Sequence, residues 1–217
     1  MAKGTDFGGV HSSRTLNLIQ QKVDIQPAQP KLNMIDVPGA DGSKDLSDRP
    51  AGRVVFHDRT LTWTFALYPG ENWHDKHSQV SAALNGKRCK ITLDDDPTVY
   101  YDGRLAVKKY NTDKSLRQIT VEATCAPYKL KQQETRKETS LTTSYKSIAL
   151  PNWSKPVIPE ITVPSSTTIR WKGTTATLTA GTHRLLDVEL QAGSNTLEAK
   201  LASGSGTMVV TYREGSL

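Results

Sequence analysis

Strict alternation of apolar and polar residues is the feature that most constrains how this chain can fold. In "LTWTFALY", the residues Leu61, Trp63, Phe65 and Leu67 fall on one face, and "QITVEATC" repeats the same spacing. A period of two residues is typical of strands that are buried on one side. The chain is therefore predicted to be mainly β, with the earlier run "RVVF" pairing with the first of these strands as a hairpin.

One segment changes this period and predicts a helix. In "PGENWHDKHSQVSAALNGKR", residues Trp73, His77, Val80 and Leu84 recur at the spacing of a single helical face. The pair Asn85-Gly86 that follows is typical of a helix C-terminus. We expect this face to pack on the neighbouring sheet.

The last third of the chain has a different sequence pattern, in which many short strand-like runs are separated by Pro, Gly, Ser and Asn. These runs are "YKSIAL", "EITV", "TTIRW", "TATLTA", "RLLDVEL", "NTLEAKL" and "TMVVTY". They predict a small β-sandwich. Because the polar stretch "KLKQQETRKETS" precedes them, we place a domain boundary there. The expected domains are 1–130, with the one helix, and 131–217.

Charge and composition exclude several classes of protein. The net charge is +6, but basic residues are scattered among acidic ones, which argues against a nucleic-acid partner. No stretch approaches the roughly 18 apolar residues of a membrane span, and the N-terminus lacks a signal-peptide core. Cys89 and Cys125 have no zinc-ligand spacing and are expected to be buried free thiols. We expect assembly in a cytoplasm.

The three successive aspartates Asp94, Asp95 and Asp96 could hold a metal, act as catalytic acids or form a turn. A calcium loop starting at Asp94 would need Gly and Glu where Val99 and Leu105 stand. Asp-Asp-Pro between the strand-like runs "KITL" and "VYY" favours a hairpin turn.

Other patterns for catalysis or metal binding are weak. A cell-wall hydrolase could draw its carboxylates from Asp94, Asp96 and Asp102. His74 and His77 form an H-x-x-H pair without the H-E-x-x-H context, which favours a structural role. Nucleophile, phosphate-loop and dinucleotide motifs are absent from the sequence. We therefore expect no catalytic residues, no metal and no cofactor.

The order of several motifs resembles a known family. "FGGVHSS", "DVPGADGSKDLS", "LDDDPTVYYDGRL", "CAPYK" and the closing "LQAGSNTLEAKLASGSGTMVVTYREGSL" are together similar to the distal tail (Dit) family of long, flexible-tailed bacteriophages. The likeness spans nearly the whole chain. It implies a structural virion protein of the tail tip and not an enzyme.

The resemblance also implies an assembly. The N-terminal domain, expected to be split-barrel-like, would form a homo-hexameric ring, and the C-terminal domain would be a galectin-like sandwich. The ring would join the tail tube protein to a tail-associated hub protein. The chain has no room for the large carbohydrate-binding insertions of some family members.

The segment 33–48 is expected to lie in a contact between subunits. Its Gly39 and Gly42 suit turns beside the apolar run "MIDV", although a plain β-turn would use the same residues. The expected interface residues are Asn33, Met34, Ile35, Asp36, Val37, Pro38, Gly39, Asp41 and Gly42.

A carbohydrate-binding module for bacterial surface glycans is the alternative function. Trp153 and Trp171 could stack on sugar rings if they are exposed on the sandwich. The same tryptophans would equally suit core or interdomain packing.

Overall fold

The computed structural model describes residues 3–110 and 117–217, which divide into two compact units, Met1–Lys129 (unit 1) and Leu130–Leu217 (unit 2). Strands dominate both units, so the predicted mainly-β fold class is confirmed. The one helix of the described residues lies in unit 1, and no helix in those ranges is long and apolar enough to cross a membrane.

Unit 1 is built on one antiparallel sheet. Its elements are β1 (Thr5–Phe7), β2 (Val10–His11), β3 (Leu18–Ile25), β4 (Met34–Asp36), β5 (Ser43–Asp45), β6 (Arg59–Leu67), α1 (Trp73–Leu84), β7 (Arg88–Leu93), β8 (Val99–Tyr110) and β9 (Gln118–Cys125). Seven strands follow the order β2-β1-β7-β8-β9-β6-β3, while β4 and β5 pair only with each other.

The core of unit 1 follows from the alternation in β6 and β9. Trp63 and Phe65 are fully buried, and so is Val121, the register partner of Trp63 on β9. The Trp63 indole N–H donates a hydrogen bond to Thr5 Oγ1 at 3.0 Å. The Phe7 ring meets the indole edge-on, with 5.1 Å between the ring centroids. The central strands are therefore fixed to β1 by both packing and a buried hydrogen bond.

The predicted helix is confirmed, and it ends at Leu84, directly before the predicted Asn85-Gly86. Asn72 caps its N-terminus through its side chain, and Gly86, with a φ of 76°, follows its C-terminus. Val80 and Leu84 are buried, and Trp73 packs against the core of unit 1 as a partly buried residue.

The predicted hairpin of "RVVF" with β6 is wrong. In that run Phe56 forms only an isolated bridge, to Pro30, and β6 instead lies between β9 and β3. The strand β3 was not anticipated, because the polar "QQK" in its middle hides the alternation. This strand is an edge of the sheet, with a register shift between Gln20 and Lys22, so polar residues are tolerated there.

The two cysteines flank a glycine in the sheet of unit 1. Gly103 on β8 pairs with Cys89 on β7 and with Cys125 on β9. The cysteine Cα atoms are thus two strand spacings apart, roughly 10 Å, which is too far for a disulfide. Both are free, as predicted, but Cys125 alone is buried as expected, whereas Cys89 is only partly buried. Burial raises the pKa of Cys125 to about 12. Cys125 is therefore a protonated thiol at neutral pH.

Unit 2 is a sandwich of two four-stranded antiparallel sheets, as predicted. Its strands are β10 (Lys129–Lys131), which begins at the boundary, β11 (Thr135–Leu141), β12 (Lys146–Asn152), β13 (Glu160–Val163), β14 (Thr167–Trp171), β15 (Thr174–Leu178), β16 (Gly181–Arg184), β17 (Gly193–Leu201), β18 (Gly206–Tyr212) and β19 (Gly215–Ser216). The sheets follow the orders β11-β18-β13-β16 and β12-β17-β14-β15.

Two details of unit 2 differ from the prediction. Half of the polar stretch that was expected to separate the domains is the strand β11, which pairs with β18 along all seven of its residues. It is polar because it lies at a sheet edge. The run "RLLDVEL" lies mostly after β16, and its Leu190 forms an isolated bridge with Val157.

Residues near the end of the chain form hydrogen bonds with residues at the beginning of unit 2. Glu214 is 4% exposed and accepts hydrogen bonds from Lys131 Nζ at 2.6 Å and Thr135 Oγ1 at 2.5 Å. Arg213 donates to the carbonyl oxygens of Lys131 and Gln132, both at 2.6 Å. These bonds join residues about 80 positions apart.

Candidate functional site

The segment predicted as an interface forms an isolated hairpin. Met34 pairs with Asp45 and Asp36 with Ser43, and neither strand joins a larger sheet. Gly39 and Gly42 both have positive φ, at 81° and 72°, so the predicted turns are present. Residues 33–48, which contain this hairpin, are called the arm below.

The arm exposes apolar side chains on both faces. Leu32 beside it is 65% exposed, and within it Met34 is 51% and Ile35 and Val37 are each 45% exposed. Since Met34 and Ile35 are consecutive in a strand, they point to opposite faces. Clustered apolar exposure of this kind is common at interaction surfaces.

The arm is acidic on a basic chain. It contains Asp36, Asp41, Asp45 and Asp48 but only one basic residue, Lys44, whereas the whole chain has a net charge of +6. Hydrogen bonds from the Ser47 hydroxyl and then from its backbone N–H lower the pKa of Asp45. Its carboxylate is therefore ionised near neutral pH, and the arm is an acidic ribbon with apolar faces.

Asp94 ties the N-terminal segment to the turn between β7 and β8. Its carboxylate accepts hydrogen bonds from the Gly4 N–H at 2.9 Å and from His11 Nε2 at 3.2 Å. His11 is buried, and its Nδ1 accepts from the backbone N–H groups of Ser13 and Arg14, both at 3.2 Å. With Nδ1 accepting, the ring proton resides on Nε2 and points to Asp94. Two separate motifs, "FGGVHSS" and "LDDD", thus meet in a structural contact.

The other two aspartates of the turn have modest roles. Asp95 forms an exposed ion pair with Lys3, and Asp96 accepts from Thr98 at 3.0 Å and from Lys129 at 3.2 Å. The predicted turn between β7 and β8 is present. Among residues 3–110 and 117–217, no group of three metal-ligating side chains is placed to hold an ion.

Two of the three carboxylates considered for a hydrolase, Asp94 and Asp102, have a lowered pKa. Partial burial raises the pKa of Asp94, but hydrogen bonds from His11 and Gly4, together with the electrostatic attraction of the His11 ring and of Arg14, outweigh it, and the net pKa is lowered. The hydrogen bond and charge of Arg88 lower the pKa of Asp102 despite some burial. A glycosidase acid needs a raised pKa instead.

Replacing Asp94 with asparagine is expected to lower the free energy of unfolding by about 1 kcal/mol at pH 7. Because the folded-state pKa of Asp94 lies below its ordinary value of 3.8, this contribution is present above that value and is lost as the pH falls through the folded pKa. Urea unfolding at pH 7 and near pH 3 measures both.

Asp95→Asn is the matched control, because its ion pair with Lys3 is exposed and should contribute less than about 0.5 kcal/mol. Equal losses in the two variants, or a loss in Asp94→Asn that stays constant down to low pH, would contradict the role assigned to Asp94.

A groove of about 620 Å³ lies on the sheet of unit 1, and most of the charged side chains that line it have partners. Arg88 forms a two-bond contact with Asp102, at 2.8 and 3.1 Å, and Lys108 pairs with Glu122 at 3.1 Å. Arg104 donates to the Gly86 carbonyl at 2.7 Å. Two carboxylates and three cations of the groove are thus engaged with partners inside it.

The two tryptophans considered for sugar stacking are in different environments. Trp171 is 5% exposed and belongs to the sandwich core. Trp153 is 37% exposed, and the Lys131 ammonium lies 4.4 Å from the centroid of its ring. Of the two, Trp153 alone offers ring surface to a ligand.

His77, which was considered for a metal site, lies instead beside Trp73, with ring centroids 5.7 Å apart, in a structural contact.

Sequence reasoning missed an aromatic cluster on unit 2. The Arg170 guanidinium lies 4.2 Å and the Lys200 ammonium 4.7 Å from the centroid of the Tyr145 ring. These residues come from three separate segments, so only the strand register brings them together. The alternation of apolar and polar residues could place each of them on an outer face, but it does not show which strands lie side by side.

Comparison with known proteins identifies the fold. No family model matches the chain, and no curated protein sequence matches it either. Among solved structures it is similar to the Dit protein (gp 19.1) of SPP1, described as a paradigm of the hub adsorption apparatus in phages that infect Gram-positive bacteria. The similarity covers 100% of both chains, with a TM-score of 0.67 and 14% sequence identity. The chain therefore shares the fold that its motifs predicted.

Proposed function

We propose that this chain is a distal tail protein of a bacteriophage, a structural component at the tip of the virion tail. The shared fold with the SPP1 Dit protein, which extends over both full chains, supports this role. In this proposal unit 1 forms a homo-hexameric ring that joins the tail tube protein to a tail-associated hub protein. Assembly takes place in the host cytoplasm, and no enzymatic activity is required.

The arm is the observation that most supports an assembly role. An isolated two-stranded hairpin is marginally stable in water, and this one exposes apolar residues on both faces. Contact with another protein would bury them. We assign that contact to residues Asn33, Met34, Ile35, Asp36, Val37, Pro38, Gly39, Asp41 and Gly42.

A second copy of the chain is a suitable partner for the arm. The arm is acidic, so the remainder of the chain is more basic than the net charge of +6 indicates. An arm that reaches a different surface of the next copy makes a head-to-tail contact, and such contacts close into a ring when the rotation permits.

The test is the mass of the full-length protein in solution. We expect native mass spectrometry or light scattering to give six times the chain mass of 23.9 kDa. The double variant Met34→Ser with Ile35→Ser should yield monomers, because it removes apolar surface from both faces of the arm. Its circular dichroism spectrum should match that of the wild type, since both side chains are exposed within a single chain.

Leu186→Ser is the matched control, because Leu186 is 80% exposed but lies in unit 2. This variant should keep the hexamer. A wild-type protein that stays monomeric at high concentration, or an arm variant that still forms the ring, would overturn the proposed interface.

A further inference from the structure

The outer face of one sheet in unit 2 carries a cluster centred on Tyr145. This residue immediately precedes β12, which pairs with β17, and β17 pairs with β14. Arg170 on β14 is directly opposite Glu198 on β17, and Lys200 is opposite Thr168. Because core residues alternate with these positions, all of them lie on the face turned away from the sandwich core. We call this surface the Tyr145 face.

An aromatic ring is available on this surface. Tyr145 is 36% exposed although Arg170 and Lys200 both lie within 5 Å of its ring centroid. Aromatic rings of this kind pack against the C–H faces of sugars while nearby polar groups bind the hydroxyls. Hydroxyl side chains lie on the same face: Ser147, Thr168, Thr175, Thr177, Ser194 and Thr196.

The two cations of the cluster are not equivalent. The Arg170 guanidinium is paired with the Glu198 carboxylate at 3.1 Å. In the described part of the chain, no carboxylate lies within 4.0 Å of the Lys200 ammonium. The cluster therefore has an excess positive charge, and that charge is on the lysine.

We propose that the Tyr145 face binds a glycan chain substituted with phosphate. The Tyr145 ring contacts a sugar ring, the serine and threonine hydroxyls bind its hydroxyl groups, and the Lys200 ammonium pairs with the phosphate. Phosphate is favoured because the cation without a nearby carboxylate is a lysine, which binds phosphate as a point charge, whereas the Arg170 guanidinium already donates to Glu198 through Nη1 at 3.1 Å. The proposal does not depend on the assembly role of unit 1.

Matched probes are phosphomannan and unsubstituted mannan, with binding of the full-length protein measured by biolayer interferometry. We expect phosphomannan to bind at least tenfold more tightly than mannan. Tyr145→Ala should weaken phosphomannan binding by about tenfold or more, and Lys200→Gln should remove most of the preference for the phosphorylated chain. Inorganic phosphate in millimolar excess should compete only weakly, because it lacks the sugar.

Arg184→Gln is the control, since Arg184 lies on the outer face of the other sheet, 3.8 Å from Glu160. It should bind phosphomannan like the wild type. Each variant is checked for unchanged mass and melting temperature, so that loss of binding is not loss of folding. Equal binding of both glycans, full competition by inorganic phosphate, an equal loss in Arg184→Gln or unaffected binding in Tyr145→Ala would each overturn the proposal.

Discussion

Replacing Trp63 with alanine is expected to lower the free energy of unfolding of unit 1 by about 3 to 5 kcal/mol. The side chain is fully buried at the centre of the sheet, where it contacts the Phe7 ring and donates a hydrogen bond to Thr5. Its removal leaves a large cavity and an unfilled acceptor. Denaturant unfolding followed by circular dichroism measures the loss.

Trp63→Phe separates the two contributions. It retains most of the apolar volume but removes the N–H donor, so the expected loss is smaller, about 1 to 2 kcal/mol. Hydrogen exchange should show the loss of protection in β6 and β9, which pair along their lengths. A change below about 1 kcal/mol in the alanine variant would show that Trp63 is not central to the core.

Gly103→Ala is expected to destabilise unit 1 by about 2 to 3 kcal/mol, although it adds a single methyl group. A Cβ at this position would collide with Cys125 Sγ and would lie 2.9 Å from the Thr124 carbonyl oxygen. Both neighbours are on β9, so the strand itself would have to move. Thermal or urea unfolding of the full chain measures the effect.

The double variant Gly103→Ala with Cys125→Ala tests this cause. Removing the sulfur relieves the closest collision. The double variant should therefore lose about 1 kcal/mol less stability than the sum of the two single variants in a double-mutant cycle. The Thr124 carbonyl remains, so the rescue is partial. Strictly additive losses would show that the sulfur is not what excludes a side chain from Gly103.

Much of the fold could be predicted where one face of an element is buried. The alternation around Trp63 and Val121 follows directly from a sheet with one apolar face, and the helix is signalled by the spacing of Val80 and Leu84. The edge strands β3 and β11 were missed for the opposite reason. Edge positions tolerate charged and polar residues, so their period is weak in the sequence.

The candidate sites show a different limit. The arm could be anticipated because the apolar run and the glycines Gly39 and Gly42 are contiguous. The contact of His11 with Asp94 and the cluster around Tyr145 join residues distant in the chain. Such contacts depend on strand order and register, which local periodicity does not specify. The burial of Trp171 likewise depends on which face its strand presents.

The pairing of β11 with β18 has a consequence for the order of events during synthesis. The sheet path of unit 1 is complete once β9 has been made, so this unit can begin to fold while the ribosome is still translating the rest. In unit 2 the strand made near the start pairs with one made near the end, and Glu214 follows later still. Unit 2 can therefore close only after Gly206–Tyr212 has been made, and a message truncated before that strand would leave β11 without its partner.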